Sequence, residues 1–276
     1  MADSILNASI NSFIRGNKKG FNMVKLRPLR SFPLRVLTKI LHSTQLTFGM
    51  GSITHAETHE PLVAITFDGG PDERWTPKVL DVMSEYQAKG TFFVIGKYVQ
   101  KHPDIMQRLV DEGHELGNHT WDHPSMPLLP GHKRRKQIYE CDEALKPYGA
   151  NIRLFRPPYY DQSMASRFDM FRLGYSVIIG NRVANDWEDR DTKFILDRLK
   201  STITGGDIVL LHDAVCDQRY RSRAAMIRAL SLFLSQCHNR FRFITVSELL
   251  RSGKPKKEIW LKKPNLKRFA TYERDI

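Results

Sequence analysis

Cysteine, long apolar runs and low-complexity segments are scarce or missing in this chain of 276 residues. Its three cysteines, Cys141, Cys216 and Cys237, are widely spaced and form no C-x-x-C pair, so they provide neither a disulfide framework nor a thiolate metal site. We expect them to be buried apolar side chains. No run of about 18 apolar residues is present, which argues against a membrane-spanning helix. The hydrophobic content of 41% is that of a globular chain.

The middle of the sequence has no excess of positive or negative charge, although the whole chain has a net charge of +13. Residues 1–56 contain eight Lys or Arg and one Asp, residues 251–276 contain nine Lys or Arg and three acids, and residues 57–250 are neutral. A nucleic-acid enzyme carries its basic stripe on the folded body, so we expect no nucleic-acid partner. Basic ends suit attraction to a membrane or an anionic wall surface; the alternative is solvated termini with no dedicated partner.

The chain is expected to have three parts, which are a basic N-terminal leader over 1–59, a folded domain over 60–250 and a basic C-terminal tail over 251–276. Residues 23–49 imitate a secretory signal, because basic residues precede an apolar stretch, but polar residues interrupt that stretch. The pattern therefore gives no clear signal peptide and favours a membrane-associated amphipathic helix or a disordered leader. We expect an extracytoplasmic, membrane-associated or wall-associated location.

Apolar, β-rich runs alternate with segments of helical spacing from residue 62 onward. The apolar runs are 62–67, 91–96, 114–118, 152–156, 175–180, 207–211 and 241–246. The helical segments are 76–88, 103–112, 133–146, 162–173, 191–203 and 221–236. This alternation predicts βα units, a parallel sheet and an α/β fold. Seven such units favour a closed or nearly closed (β/α) barrel.

Polar side chains that can carry chemistry follow the predicted strands. Asp68, His119, Arg156 and His212 each fall within a residue or two of a strand end, and Asp186 lies a few residues beyond one. In (β/α) barrels, functional residues gather at the carboxyl ends of the strands. We therefore predict that these five side chains share one site, although each alone has an ordinary structural explanation, such as capping a turn or pairing with a surface acid.

His119 and His123 are the side chains best suited to a metal. Their spacing of four residues places both imidazoles on one face if a helical turn follows the strand. Two neutral imidazoles suit Zn²⁺ or a related divalent cation. Surface or capping histidines produce the same spacing, so the pair gains its meaning from the neighbouring motifs. Together the motifs predict a metal-assisted hydrolase site.

Five motifs in this order resemble those of the polysaccharide deacetylase family, the NodB-homology domain of carbohydrate esterase family 4, over about residues 60–250. They are TFDGGP at 66–71, HTWDH at 119–123, RPPY at 156–159, DW at 186–187 and LLH at 210–212. The resemblance implies a distorted (β/α) barrel of about seven parallel strands, in agreement with the alternation of strands and helices. It also implies removal of acetyl groups from N-acetylglucosamine-containing glycans of the chitooligosaccharide or peptidoglycan type.

The resemblance implies four catalytic residues. Asp68 would be the general base and Arg156 would orient it. His212 would be the general acid, and Asp186 would hold it.

It further implies three contacts with the substrate. The backbone N–H of Tyr159 would donate to the oxyanion. Trp187 would form a wall of the glycan groove, and Leu210 would line the pocket for the acetyl methyl group.

The metal ligands implied by the resemblance are His119, His123 and an Asp at the position where this chain has Gly69. Zn²⁺ is the expected metal, with Co²⁺ or Mn²⁺ as alternatives. Loss of the only anionic ligand should cost at least the 10–100-fold in affinity or activity that losses of outer-shell partners cost. Asp72 and Asp122 are the acids close enough in sequence to replace the missing carboxylate. However, Asp72 lies beyond the turn, and Asp122 is expected to point away from the two histidines if the turn between them is helical.

Gly69 leaves several interpretations open. The protein is a weakened or altered-metal enzyme, a glycan-binding pseudoenzyme of the same fold, or a chain with an inactivating change. Retention of both the base Asp68 and the acid His212 favours residual chemistry. A hydrolase of non-sugar amides is a further alternative, because fold alone does not fix the substrate.

Overall fold

A curled parallel sheet forms the centre of the fold in the computed structural model, which describes residues 49–149, 153–188, 190–214 and 222–265. The strands are β1 Ser52–Glu57, β2 Leu62–Asp68, β3 Thr91–Val94, β4 Glu115–Asn118, β5 Leu154–Phe155, β6 Ser176–Val177, β7 Arg182–Val183, β8 Ile208–His212, β9 Arg242–Ile244 and β10 Lys254–Glu258. The α-helices are α1 Thr76–Glu85, α2 Gly96–Lys101, α3 Pro103–Asp111, α4 Gly131–Leu145, α5 Met164–Arg172, α6 Thr192–Lys200, α7 Ala224–Cys237 and α8 Val246–Ser252.

Seven parallel strands follow one another in the order β6-β5-β4-β3-β2-β8-β7, and β9 pairs with the first residues of β2. This confirms the predicted distorted (β/α) barrel of about seven parallel strands. The predicted strand 175–180 differs from the structure, because β6 ends at Val177 and β7 is a separate strand at the other end of the sheet. Gly180 lies between them with a φ of 79°, a left-handed conformation that glycine adopts without strain.

Two apolar clusters separate the faces of the sheet. The outer cluster packs the odd-numbered residues of β2 against helices, and its members include Val63, Ile65, Phe67, Val79, Leu80 and Met83. The inner cluster lies within the curl of the strands, and its members include Ala64, Phe93, Leu154, Ile178, Ile208 and Ile244. All seven residues of β2 are buried as a result. Because both faces of β2 are covered, its sequence is a nearly continuous apolar run.

Both flanking segments of the predicted domain contain described strands. β1, inside the predicted leader, pairs antiparallel with β10, inside the predicted tail. β1 also contacts the barrel, since the N–H of Ile179 donates to the carbonyl of Ile53 over 2.9 Å. Both β1 and β10 thus lie outside residues 60–250, the predicted bounds of the folded domain.

Several predictions concern residues only partly described. Cys141 and Cys237 are buried and free, as expected, whereas Cys216 lies outside the described residues. The signal-like segment 23–49 also lies outside them, apart from Gly49. Within the described ranges, no helix has the length and apolar character needed to cross a membrane.

Candidate active site

Asp68 and His212 end two neighbouring strands and are direct partners in the register of β2 with β8. Side chains alternate between the two faces of a strand. Asp68 therefore lies on the face of Ala64, and His212 lies on the face of Ile208, both of which belong to the inner cluster. Strand parity thus directs the predicted base and the predicted acid toward the same interior mouth of the curled sheet.

Arg156 holds the carboxylate of Asp68. Its Nη1 donates to Asp68 Oδ1 over 2.6 Å and to Thr66 Oγ1 over 2.7 Å, and its Nε donates to the carbonyl of Ile178 over 3.1 Å. The guanidinium carbon lies 4.1 Å from the ring centre of Phe93. Burial raises the pKa of Asp68, and the charge of Arg156 opposes that rise. A contact between Arg156 and Asp68 was expected from the resemblance, whereas the hydrogen bond of Arg156 to Thr66 was not.

His119 follows β4 and presents a defined tautomer to the site. Its Nδ1 lies 2.7 Å from the carbonyl oxygen of Arg156, and because a carbonyl only accepts, Nδ1 carries the hydrogen. Nε2 is therefore the lone-pair nitrogen, and it lies 3.9 Å from Asp68 Oδ2. Burial lowers the pKa of His119 to about 3, so the ring is neutral near pH 7.

His123 reaches His119 through a loop, so the helical turn assumed from the sequence is wrong. The segment has left-handed backbone at Thr120, with φ 72°, and at His123, with φ 67°. The N–H of His123 donates to Thr120 Oγ1 over 3.0 Å. The two imidazole centroids are nevertheless 4.9 Å apart. Burial lowers the pKa of His123 well below its usual value.

Gln137 on α4 fixes the loop between the two histidines. Its Oε1 accepts hydrogen bonds from the backbone N–H groups of Trp121 and Asp122, each over 3.1 Å. The sequence analysis missed this residue, because a glutamine on a polar helix carries no distinctive local signal.

Two neutral imidazoles fit a divalent cation, but Gly69, at the position where the resemblance implies a third ligand, has no side chain. Gly69 has a φ of 97°. Of the two acids that could replace the missing carboxylate, Asp72 instead accepts N–H bonds from Arg74 and Trp75 over 2.9 and 3.0 Å, and Asp122 is exposed. Across the described part of the chain, no three His, Cys, Asp or Glu side chains are arranged to hold a metal. His119 and His123 therefore can supply two metal ligands, and the described residues do not complete a three-ligand set.

Asp186 holds His212 in two ways. Asp186 Oδ1 lies 3.0 Å from His212 Nδ1, and Asp186 Oδ2 accepts the backbone N–H of His212 over 2.8 Å. The ring of Trp187 packs edge-on against His212 with centroids 5.5 Å apart. Arg223, which the sequence analysis missed, donates to the carbonyls of Asp186 and Ala214 over 2.6 and 2.9 Å.

Tyr159 joins the same neighbourhood from the short 3₁₀ turn Pro158–Tyr160. Its φ is 57°, and its ring lies edge-on to His123 with centroids 4.5 Å apart. Leu210 is buried in β8, two residues before His212 and thus on the same strand face. The structure therefore brings the predicted acid, base, histidine and tyrosine residues together, and it connects Leu210 to them through the strand.

Asp213 is a buried acid that directly follows His212 and was not predicted. It accepts hydrogen bonds from the N–H of Gly70 over 3.1 Å and from Thr76 Oγ1 over 2.7 Å. Burial raises its pKa to about 7. Its carboxylate ties the end of β8 to the glycine turn after β2. Its position at a strand end was the signal that could have revealed it.

The fold and the site together define a curled (β/α)-barrel protein in which Asp68, His212 and the imidazoles of His119 and His123 gather at the carboxyl ends of the strands. The chain belongs to the polysaccharide deacetylase family, whose model, described as polysaccharide deacetylase, matches residues 55–178.

Relatives with known names agree with this membership. The chain is 34% identical over 198 residues to a peptidoglycan-N-acetylglucosamine deacetylase of Bacillus cereus, covering 70% of this chain and 90% of the relative. It is 31% identical over 198 residues to a chitooligosaccharide deacetylase of Sinorhizobium fredii, with 68% and 91% covered. The solved structure of the Bc1960 peptidoglycan N-acetylglucosamine deacetylase superposes with a TM-score of 0.67 at 26% identity, covering 74% of this chain and 94% of that one.

Proposed function

We propose that this protein removes acetyl groups from N-acetylglucosamine-containing glycans of the peptidoglycan or chitooligosaccharide type. The names of the relatives support this substrate class. The observation that carries the proposal is the placement of Asp68 beside His212 on adjacent strands, with Arg156 hydrogen-bonded to Asp68 and Asp186 hydrogen-bonded to His212. His119 and His123 would hold a divalent cation, with Zn²⁺ favoured over Co²⁺ and Mn²⁺, and Gly69 would make that binding weak.

Asp68 is the proposed general base. The bound cation would polarise the acetamide carbonyl and lower the pKa of a nearby water. Asp68 takes the proton of the attacking water through Oδ2, because Oδ1 is bonded to Arg156. Burial raises the pKa of Asp68 and makes the carboxylate a better proton acceptor, and the charge of Arg156 opposes that rise.

His212 is the proposed general acid. Asp186 accepts from Nδ1, which leaves Nε2 of the imidazolium to give its proton to the departing sugar amine. The backbone N–H of Tyr159 is the proposed oxyanion donor, Leu210 the proposed lining of the methyl pocket and Trp187 the proposed wall for the sugar. Water and the acetamide are converted to acetate and a free amine.

Acetate release tests the proposal. The unchanged chain is incubated with chitooligosaccharides or peptidoglycan fragments and with Zn²⁺ or Co²⁺, beside Asp68→Asn and His212→Asn variants. Each substitution should lower the rate at least 10²-fold, which is the usual contribution of a general acid or base. The proposal fails if the unchanged chain releases no acetate from either glycan with either metal.

A glycan-binding pseudoenzyme is the second candidate, and Gly69 is the observation that favours it. This function predicts binding of chitooligosaccharides, measured by calorimetry, without acetate release at any metal concentration. Release that depends on Asp68 and His212 excludes it.

We propose that the protein is located outside the cytoplasm and that its basic ends contact a membrane or an anionic wall surface. The uneven distribution of charge supports this. Fractionation of cells at low and high salt tests it, since binding by exposed charges weakens as ionic strength rises.

A further inference from the structure

The C-terminal strap, residues 254–262, runs from the sheet edge to the loop that carries Tyr159. Its first part, β10, pairs with β1. Its end pairs with Gln162, because the N–H of Lys262 donates to the carbonyl of Gln162 over 3.1 Å and the N–H of Gln162 donates back over 3.0 Å. The strap lies beyond residues 55–178, which the family model matches.

Buried contacts beneath the strap hold it in place. Arg167 on α5 is buried, and its Nη1 donates to Ser52 Oγ over 2.9 Å, to Gln162 Oε1 over 3.1 Å and to the carbonyl of Trp260 over 3.3 Å. The ring of Trp260 lies edge-on to Tyr160 with centroids 6.3 Å apart. The strap is therefore fixed to the loop from both its backbone and its side chains.

Lys262 extends from this strap to the active-site loop. Its Nζ donates to the carbonyl of Tyr159 over 2.6 Å and lies 3.8 Å from Asp161 Oδ1. Asp161 is buried and accepts from Ser125 Oγ over 2.8 Å, and Ser125 lies two residues after His123. One ammonium group thus contacts the tyrosine loop directly and the histidine loop through Asp161.

We propose that Lys262 is a positioning residue for deacetylation, acting through Tyr159, and this rests on the function proposed above. Tyr159 and Tyr160 both have left-handed backbone, with φ of 57° and 58°. Such conformations cost about 1–3 kcal/mol and persist only where the surroundings enforce them. The Tyr159 carbonyl belongs to the peptide group that follows Tyr159, and Lys262 holds this group in place. By doing so, Lys262 restrains the backbone of Tyr159 and therefore the orientation of its N–H, which is the proposed oxyanion donor.

Three variants test this. Lys262→Met removes the ammonium at similar length, Lys262→Arg keeps a cation, and Lys263→Met removes the same charge from the neighbouring exposed position. Complete removal of an oxyanion donor costs about 10²–10³ in kcat. Because Lys262→Met only loosens the donor, we expect kcat to fall about tenfold with KM within twofold, at unchanged Zn²⁺ affinity. Lys262→Arg should recover most of the loss, and Lys263→Met should match the unchanged chain.

A second readout separates this proposal from the proposed function. Hydrogen exchange over residues 157–162, followed by mass spectrometry, should quicken at least fivefold in Lys262→Met and stay unchanged in Lys263→Met, with equal melting temperatures. An inactive unchanged chain refutes the deacetylase, and hydrogen exchange then decides whether Lys262 holds the loop. Equal exchange in the two variants overturns the proposal, as does an equal kcat in an active enzyme.

Discussion

Restoring the missing carboxylate by Gly69→Asp is the sharpest test of the metal site. The backbone at Gly69 has a φ of 97°, a conformation that residues with a Cβ rarely adopt. A non-glycine residue there should lower the free energy of unfolding by about 1–3 kcal/mol. The new carboxylate should raise metal affinity at least tenfold, about 1.4 kcal/mol or more.

These two effects are measurable separately, because the strain is present with and without the metal and therefore cancels in the binding equilibrium. Gly69→Ala is the matched control, since it introduces the strain without a ligand. Both variants should lose the same stability in urea. We expect Gly69→Asp alone to bind Zn²⁺ at least tenfold more tightly by calorimetry, and to release acetate at least tenfold faster at subsaturating Zn²⁺.

Equal Zn²⁺ affinities for Gly69→Asp and Gly69→Ala would refute the assignment of residue 69 as the missing ligand position. Equal rates for Gly69→Asp and the unchanged chain, with one metal bound per chain in each, would show that another ligand already completes the site.

Two further substitutions test the acid and its neighbour on β8. Asp186→Asn should lower kcat about 10²-fold, because His212 loses its anionic partner, and steady-state acetate release measures this. Asp213→Asn should change the pH dependence of stability. Since burial raises the pKa of Asp213 to about 7, the native state binds more protons than the unfolded state between pH 4 and 7, so stability falls as pH rises through that window. Over that pH range, the free energy of unfolding of Asp213→Asn should fall by up to about 4 kcal/mol less than that of the unchanged chain. Urea unfolding at pH 4.5 and 7.5 measures the difference.

Each of these predictions has a contrary outcome. A loss below fivefold in Asp186→Asn would show that His212 needs no anionic partner for its role. Parallel stability curves for Asp213→Asn and the unchanged chain would show that Asp213 is ionised in the folded protein across this range.

The family motifs identified the site because they lie at strand ends. In a parallel sheet all strands finish at one edge, so Asp68, His119, Arg156 and His212 had to converge once the strands were recognised. The structure joins these four residues through Arg156, the β2–β8 register and the contact between His119 and Asp68. Prediction of their shared neighbourhood required only local patterns.

Other features of the site had no local pattern. The geometry of His123 depends on left-handed backbone at Thr120, which a β-branched residue adopts only under tertiary constraint. Lys262 looked like one basic residue among many in a tail. Its contact with Tyr159 joins residues 103 positions apart and depends on the path of the strap, whose first part pairs with β1.

The sequence by itself determined the class of fold, the carboxyl ends of most strands and the presence of glycine at residue 69, because apolar periodicity and residue identity are local properties. The tertiary structure alone decided which groups support the site: Gln137 under the histidine loop, Arg223 behind Asp186, and Lys262 against Tyr159. Those hydrogen bonds form between segments that are distant in the chain. Their partners are backbone carbonyls and N–H groups. Every residue has the same carbonyl and every residue except proline has the same N–H, so the residue type does not reveal the partner.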